Sequence, residues 1–140
     1  MALSPIAAAE ARLNLDERRH LRVLVGEWGM LADLCFSDLV LYLPLDDDGT
    51  SFVIAGHVRP ATGQTIYHDE LVGEVRSAEQ RPLVAAAYST GRPTEGEVDS
   101  TMAGERVNVT AFPVRQRGEV IAVLAQEEAA SHRRDPGELE

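Results

Sequence analysis

Between Leu13 and Phe36 the apolar residues fall at Leu21, Leu24, Val25, Trp28, Leu31 and Cys35. That three-and-four spacing places one stripe on one face of a helix. Asn14 stands where an N-cap is needed, ahead of the charged run Asp16-Glu17-Arg18-Arg19-His20. Gly26 weakens the middle slightly. After Ser37-Asp38 the period changes. Leu39-Val-Leu-Tyr-Leu-Pro-Leu45 reads as a strand with Pro44 at its exit, and Asp46-Asp47-Asp48-Gly49 as a turn. Ser51 to Arg59 reads as the returning strand, and Thr65 to His68 as a brief one after the loop Pro60 to Gln64.

The second half follows the same logic. Ser77 and Gln80 have capping-box spacing, Pro82 suits a first helical turn, and Gly91 suits a stop. Leu83, Val84, Ala87 and Tyr88 give this short helix its buried face. Arg92 to Gly104 is polar and predicts a long exposed loop. Glu105 to Val114 and Glu119 to Ala125 predict a hairpin around Arg117-Gly118, and the continuously apolar Val120-Ile-Ala-Val-Leu124 predicts its central strand. The order predicts an α+β domain: an antiparallel sheet of five to six strands, with helices over one face and the first and last elements paired as helices. Residues 1–12 are expected to be a flexible lead-in. The charged tail from Glu127 is expected to start a linker or connecting helix, the linker proper spanning 130–140.

The chain has 140 residues, 44% of them hydrophobic, enough for a real core. Thirteen Lys+Arg stand against 23 Asp+Glu, a net charge of −10, which disfavours nucleic acid or an anionic membrane as partner. No apolar run approaches a bilayer span, and the first ten residues lack the basic start of a secretion signal. A single cysteine, Cys35, allows no internal disulfide and fits a reducing cytoplasm.

Three stretches resemble a GAF domain, a relative of the PAS-type sensor fold. Leu71-Val-Gly-Glu-Val75, Arg81-Pro-Leu-Val84 and Thr90-Gly-Arg-Pro93 are similar to its central helix-and-loop segment. Val107-Asn-Val-Thr-Ala-Phe-Pro-Val114 is similar to the strand ending in a small-x-Pro-apolar step, and Gly118-Glu-Val-Ile-Ala-Val-Leu124 to the closing strand. Val25-Gly-Glu-Trp28, Leu31-Ala-Asp-Leu34 and Phe36-Ser-Asp38 resemble the N-terminal region of cytosolic actinobacterial sensor histidine kinases of the PdtaS type. Arg59-Pro with Thr62-Gly63, Pro82-Leu-Val-Ala-Ala86 and Pro113-Val-Arg115 extend the likeness.

The resemblance implies a GAF sensor domain over 13–129, followed in such kinases by PAS, phosphoacceptor and ATP-binding domains. It implies a cytoplasmic homodimer coupled through terminal helices, with a response regulator as partner of the parent protein and ATP and Mg²⁺ confined to the kinase region. The chain contains no ATP-binding box or glycine-rich lid, so His132-Arg133-Arg134 is not expected to accept phosphate, and the chain alone is expected to catalyse nothing and to need no cofactor. Two other functions compete: a degenerate GAF scaffold that binds nothing, and a GAF-type free-methionine sulfoxide reductase. The latter resolves a sulfenic acid with a second thiol, and Cys35 has none.

The fold implied by the resemblance sets a pocket between the sheet and its helix–loop cover, near Tyr42, Ile54 and His57 on strands and Tyr67, Leu83, Tyr88 and Met102 on the cover. Tyr42, His57, Tyr67 and Arg106 are candidates for its polar part. Against that stand plainer assignments: Tyr42 and Tyr88 as core residues with bonded hydroxyls, and His57 and His68 as surface residues beside a loop. No His/Cys/carboxylate spacing marks a metal site, the Asp46–Asp48 turn lacks the ligand pattern of a calcium loop, and the few cations near 92–104 disfavour a cyclic nucleotide pocket, which needs donors for phosphate, while Arg92 and Arg106 leave that alternative open. Cys35 is a redox-thiol candidate only if exposed with a lowered pKa. Packing is its ordinary role.

Overall fold

The most apolar runs form the middle of the sheet. In the computed structural model, which describes residues 4–24, 37–59, 67, 70–100 and 105–129, the chain runs α1 (Pro5–Ala11), α2 (described over 15–24), β1 (Asp38–Pro44), β2 (Ser51–Val58), β3 (Val75–Ser77), α3 (Pro82–Thr90), β4 (Thr94–Ser100), β5 (Glu105–Gln116) and β6 (Glu119–Ala129). Six antiparallel strands lie in the order β3-β2-β1-β6-β5-β4. β1 and β6, which carry Leu39–Leu43 and Ile121–Leu124, take the two central places, so both faces of these runs are covered.

Local chemistry sets the ends of the elements. Asn14 and Glu17 bond each other's backbone N–H at 2.8 Å, a reciprocal cap that starts α2. Ser77 and Gln80 make the same exchange, but they close the turn over 78–80 rather than α3, which begins at Pro82. Gly91 ends α3 with φ of +69°, and Arg117 and Gly118 turn the β5–β6 hairpin with positive φ at both positions.

Between Leu41 and Tyr42 the β1–β2 register shifts: Leu41 faces Gly56 and Tyr42 faces Ile54, leaving Ala55 as the extra residue of a bulge.

Two apolar layers result. Tyr42, Phe52, Ile54, Val109 and Val123 pack under Val84 and Ala87 of α3. On the opposite face Leu39, Leu41, Leu43 and Leu124 pack with Ala9 of α1 and Leu21 of α2. Helices therefore cover both faces and not one, because β1 and β6 have no polar face to leave in water.

Three other expectations change. Residues 5–11 of the expected lead-in are helical: Ser4 accepts the Ala7 N–H at 3.2 Å, Pro5 fits the first turn, and Ala9 is buried. Most of the expected loop 92–104 is edge strand β4, paired from Thr94–Ala111 to Ser100–Glu105. Glu95 and Glu97 face water while Gly96 and Val98 turn inward, and the Thr94 hydroxyl donates to the Leu83 carbonyl at 2.7 Å. The strand β6 continues through Glu127 to Ala129, where a linker was expected. The partner helix expected at the C-terminus, the strand expected over 65–68 except Tyr67, Trp28, Cys35, His68 and Met102 lie outside the described residues.

Candidate functional site

Period two carries a charge into the core. Along β6, Val123, Ala125, Glu127 and Ala129 point to the face roofed by α3, and all are buried. Asp38 stands opposite Glu127 in the β1–β6 register, which brings two carboxylates side by side under the roof. Each is only 1–2% exposed. A bare buried carboxylate is expensive, so both require partners.

Glu127 is held by two phenols. Tyr42 donates to its Oε2 at 3.2 Å, and the Tyr67 hydroxyl donates to Oε1. Arg81, at the residue before α3, donates from Nε to the Tyr42 oxygen at 3.1 Å. The guanidinium thus reaches the carboxylate through one hydroxyl. Asp38 accepts from Nε2 of His57 at 2.8 Å, and both side chains are 1% exposed. The His57 ring stands edge-on to Tyr67, 5.8 Å between centroids, and its Nδ1 is buried with no hydrogen-bond partner among the described residues. A cavity of about 10 Å³, room for one water at most, lies between Glu127, Val109 and the start of α3.

Electrostatics follow from this burial. Desolvation, and then the neighbouring Glu127 charge, push the Tyr42 and Tyr67 phenols far above their ordinary range, so both stay protonated donors. Burial raises the Glu127 pKa; the two phenols and Arg81 pull the other way without cancelling it. Burial also opposes the charge on Arg81, but Tyr42 and Glu127 outweigh it and raise its pKa. A carboxyl whose folded pKa lies above its unfolded value binds its proton more tightly when folded, so it adds stability at low pH that is lost as pH rises through the folded value. Urea titrations of the wild type and of Glu127→Gln are expected to differ in that sense: above the ordinary glutamate range of about 4.3, wild-type stability falls with rising pH more steeply than that of the variant. Equal slopes would place the proton elsewhere.

The structure gathers three of the sequence candidates, Tyr42, His57 and Tyr67, into this cluster. His57 is not a surface residue, because the bulge at Ala55 turns it to the same face as Ile54 and Asp38 supplies its partner. Ile54 is fully buried core, and Leu83 and Tyr88 pack half-buried from α3, Tyr88 edge-on to Phe52 at 5.6 Å. Arg106 is exposed and paired with Glu97 across the β4–β5 hairpin, so it is not part of the cluster. At the hairpin tip Asp46 accepts from the backbone and hydroxyl of Thr50, and Asp47 pairs with Arg12. Asp38, Arg81 and Glu127 were missed. The signal available was strand alternation, which puts Asp38 in phase with Val40 and Tyr42, and Glu127 in phase with Val123 and Ala125. Among the described residues no group of three His, Cys, Asp or Glu is placed to hold a metal ion, and no helix is long and apolar enough to cross a membrane.

Comparison with known proteins agrees with the topology. The family model described as the GAF domain of the histidine kinase PdtaS matches residues 3–140. The chain is 41% identical over 126 residues to the sensor histidine kinase PdtaS of Mycobacterium tuberculosis and 35% identical over 125 residues to that of Mycolicibacterium smegmatis. Each match covers 86% of this chain and about a quarter of the relative, 25% and 24%. A solved sensor region of a sensor histidine kinase superposes with a TM-score of 0.70 and 34% identity, covering 98% of this chain and 47% of that one. The GAF domain of an Acinetobacter phosphoenolpyruvate-protein phosphotransferase shares the fold at 14% identity and a TM-score of 0.51. With a fold shared at a TM-score of 0.70 and a family match over nearly its whole length, the chain belongs to the GAF domains of PdtaS-type sensor histidine kinases.

Proposed function

We propose that this domain is the signal-input module of a cytoplasmic two-component sensor histidine kinase, and that the cluster around Glu127 sets its output. One observation carries the reading. Glu127 is buried two residues before the end of β6, where the chain leaves the sheet, and its hydrogen bonds run through Tyr42 to Arg81 at the foot of the roofing helix. A shift of α3 changes the partners of Glu127, and so biases the strand from which the chain continues. The phosphotransfer itself belongs to kinase domains beyond this segment, with a response regulator as acceptor. Two copies pair through their N-terminal helices, a reading supported by Leu15 and Val23, exposed eight residues apart on one face of α2.

A chimera tests this: the chain replaces the corresponding quarter of the Mycobacterium tuberculosis relative. The chimera is expected to autophosphorylate, and Glu127→Gln to change that rate about fivefold or more with the fold retained. The isolated chain with ATP and Mg²⁺ is expected to take up no phosphate, and robust labelling of it would defeat the proposal. A passive scaffold is the second reading, favoured by how little space, about 10 Å³, the described residues leave beside Glu127. A chimera whose rate ignores Glu127→Gln decides for the scaffold.

A further inference from the structure

A second cavity lies on the other face of the sheet. It holds about 230 Å³ over a floor of Leu41, Leu43 and Ala55, with Leu13 and Leu21 as apolar walls. Its rim carries Arg18 and Arg22, one turn apart on α2, and Glu10 of α1. Among the described residues the side chains of Arg18 and Arg22 have no hydrogen bond or ion pair, and Nε of Arg18 is buried without a partner. Arg12, Arg76, Arg106 and Arg117 are all paired with carboxylates. Arg81 and Arg115, also without carboxylates, spend their donors on phenol and carbonyl oxygens; what sets Arg18 and Arg22 apart is their place on the rim of an apolar-floored cavity, where a guanidinium without a carboxylate asks for an acceptor.

We propose that this cavity binds a small organic monoanion, with its carboxylate on Arg18 and Arg22 and a short aliphatic or aromatic body against the leucines. The guanidinium fork matches a carboxylate in shape and charge. With Glu10 the rim keeps one net positive charge, which matches a single carboxylate and not a multiply charged ion. Size limits the body: an apolar cavity of about 150 Å³ holds benzene, so 230 Å³ takes a ring or a short chain plus its head group. A long acyl chain does not fit, and an inorganic anion leaves the floor unused. The site is separate from the Glu127 cluster, and the proposal stands whether or not that cluster signals.

Calorimetric titration of the chain with phenylacetate and hexanoate tests it, with phenylacetamide, hexanamide and inorganic phosphate as controls. Both acids are expected to bind, and the amides and phosphate to bind about tenfold more weakly or worse. Arg18→Gln and Arg22→Gln are each expected to weaken the acids about tenfold, and Ala55→Leu to abolish their binding by filling the floor while the chain stays folded. Arg22 is exposed, so its variant keeps the test open if Arg18→Gln fails to fold. The proposal is overturned if neither acid binds, if amides bind as well as acids, if phosphate binds as well as acids, or if acid binding survives both Arg22→Gln and Ala55→Leu.

Discussion

Glu127→Ala is expected to destabilise the domain by about 3–5 kcal/mol, the range for removing one partner of a buried charge cluster. The substitution removes one carboxylate and strands two donors. Tyr42 and Tyr67 lose the acceptor of their hydroxyl protons, and Arg81 keeps a single bond to a phenol that no longer passes its charge to an anion. Glu127 is 2% exposed, so water cannot step in without opening the roof. Glu127→Gln keeps the shape and one acceptor oxygen and should cost less. Urea unfolding followed by tryptophan fluorescence or circular dichroism measures both. A loss under about 1 kcal/mol for the alanine variant would mean that the cluster is solvated in solution.

Phe52→Ala should be of similar size, about 3–5 kcal/mol, for a different reason. Phe52 is fully buried on β2, and its ring meets the edge of Tyr88 from α3. Deleting it removes apolar burial and leaves a void under the roof that Val84 and Ala87 cannot fill without moving the helix. Hydrogen exchange separates the two variants. Phe52→Ala should speed exchange along α3 beyond the global loss of stability, while Glu127→Ala should act on the far end of β6. Uniform acceleration in Phe52→Ala would show that α3 does not depend on this seat.

Where local chemistry decides, the sequence is a good guide. Asn14, Pro44, Gly91 and the Arg117-Gly118 pair mark real boundaries, since a cap, a missing N–H or a positive φ acts within a few residues. The failures share a cause. Strand β4 reads Thr-Glu-Gly-Glu-Val-Asp-Ser, a composition that favours loops, and only pairing with β5 makes it a strand. Helix α1 is seven residues long, too short to stand alone, and exists because Ala9 packs on the sheet. Glu127 opens a charged tail in the sequence, and composition outweighed its phase with Val123 and Ala125. Arg81 could not be tied to Tyr42 from sequence, because 39 positions separate them and only the fold closes the distance.

The extra residue at Ala55 has a consequence for how this domain can vary. Phe52 and Ile54 point under the roof from even positions, while His57 points there from an odd one. A substitution anywhere in β2 alters one side chain. Loss or gain of a single codon between Ile54 and His57 would instead throw half the strand out of step, sending either the aromatic seat or the histidine to the opposite layer. Natural versions of this domain should therefore tolerate changes of letter along β2 and refuse changes of spacing.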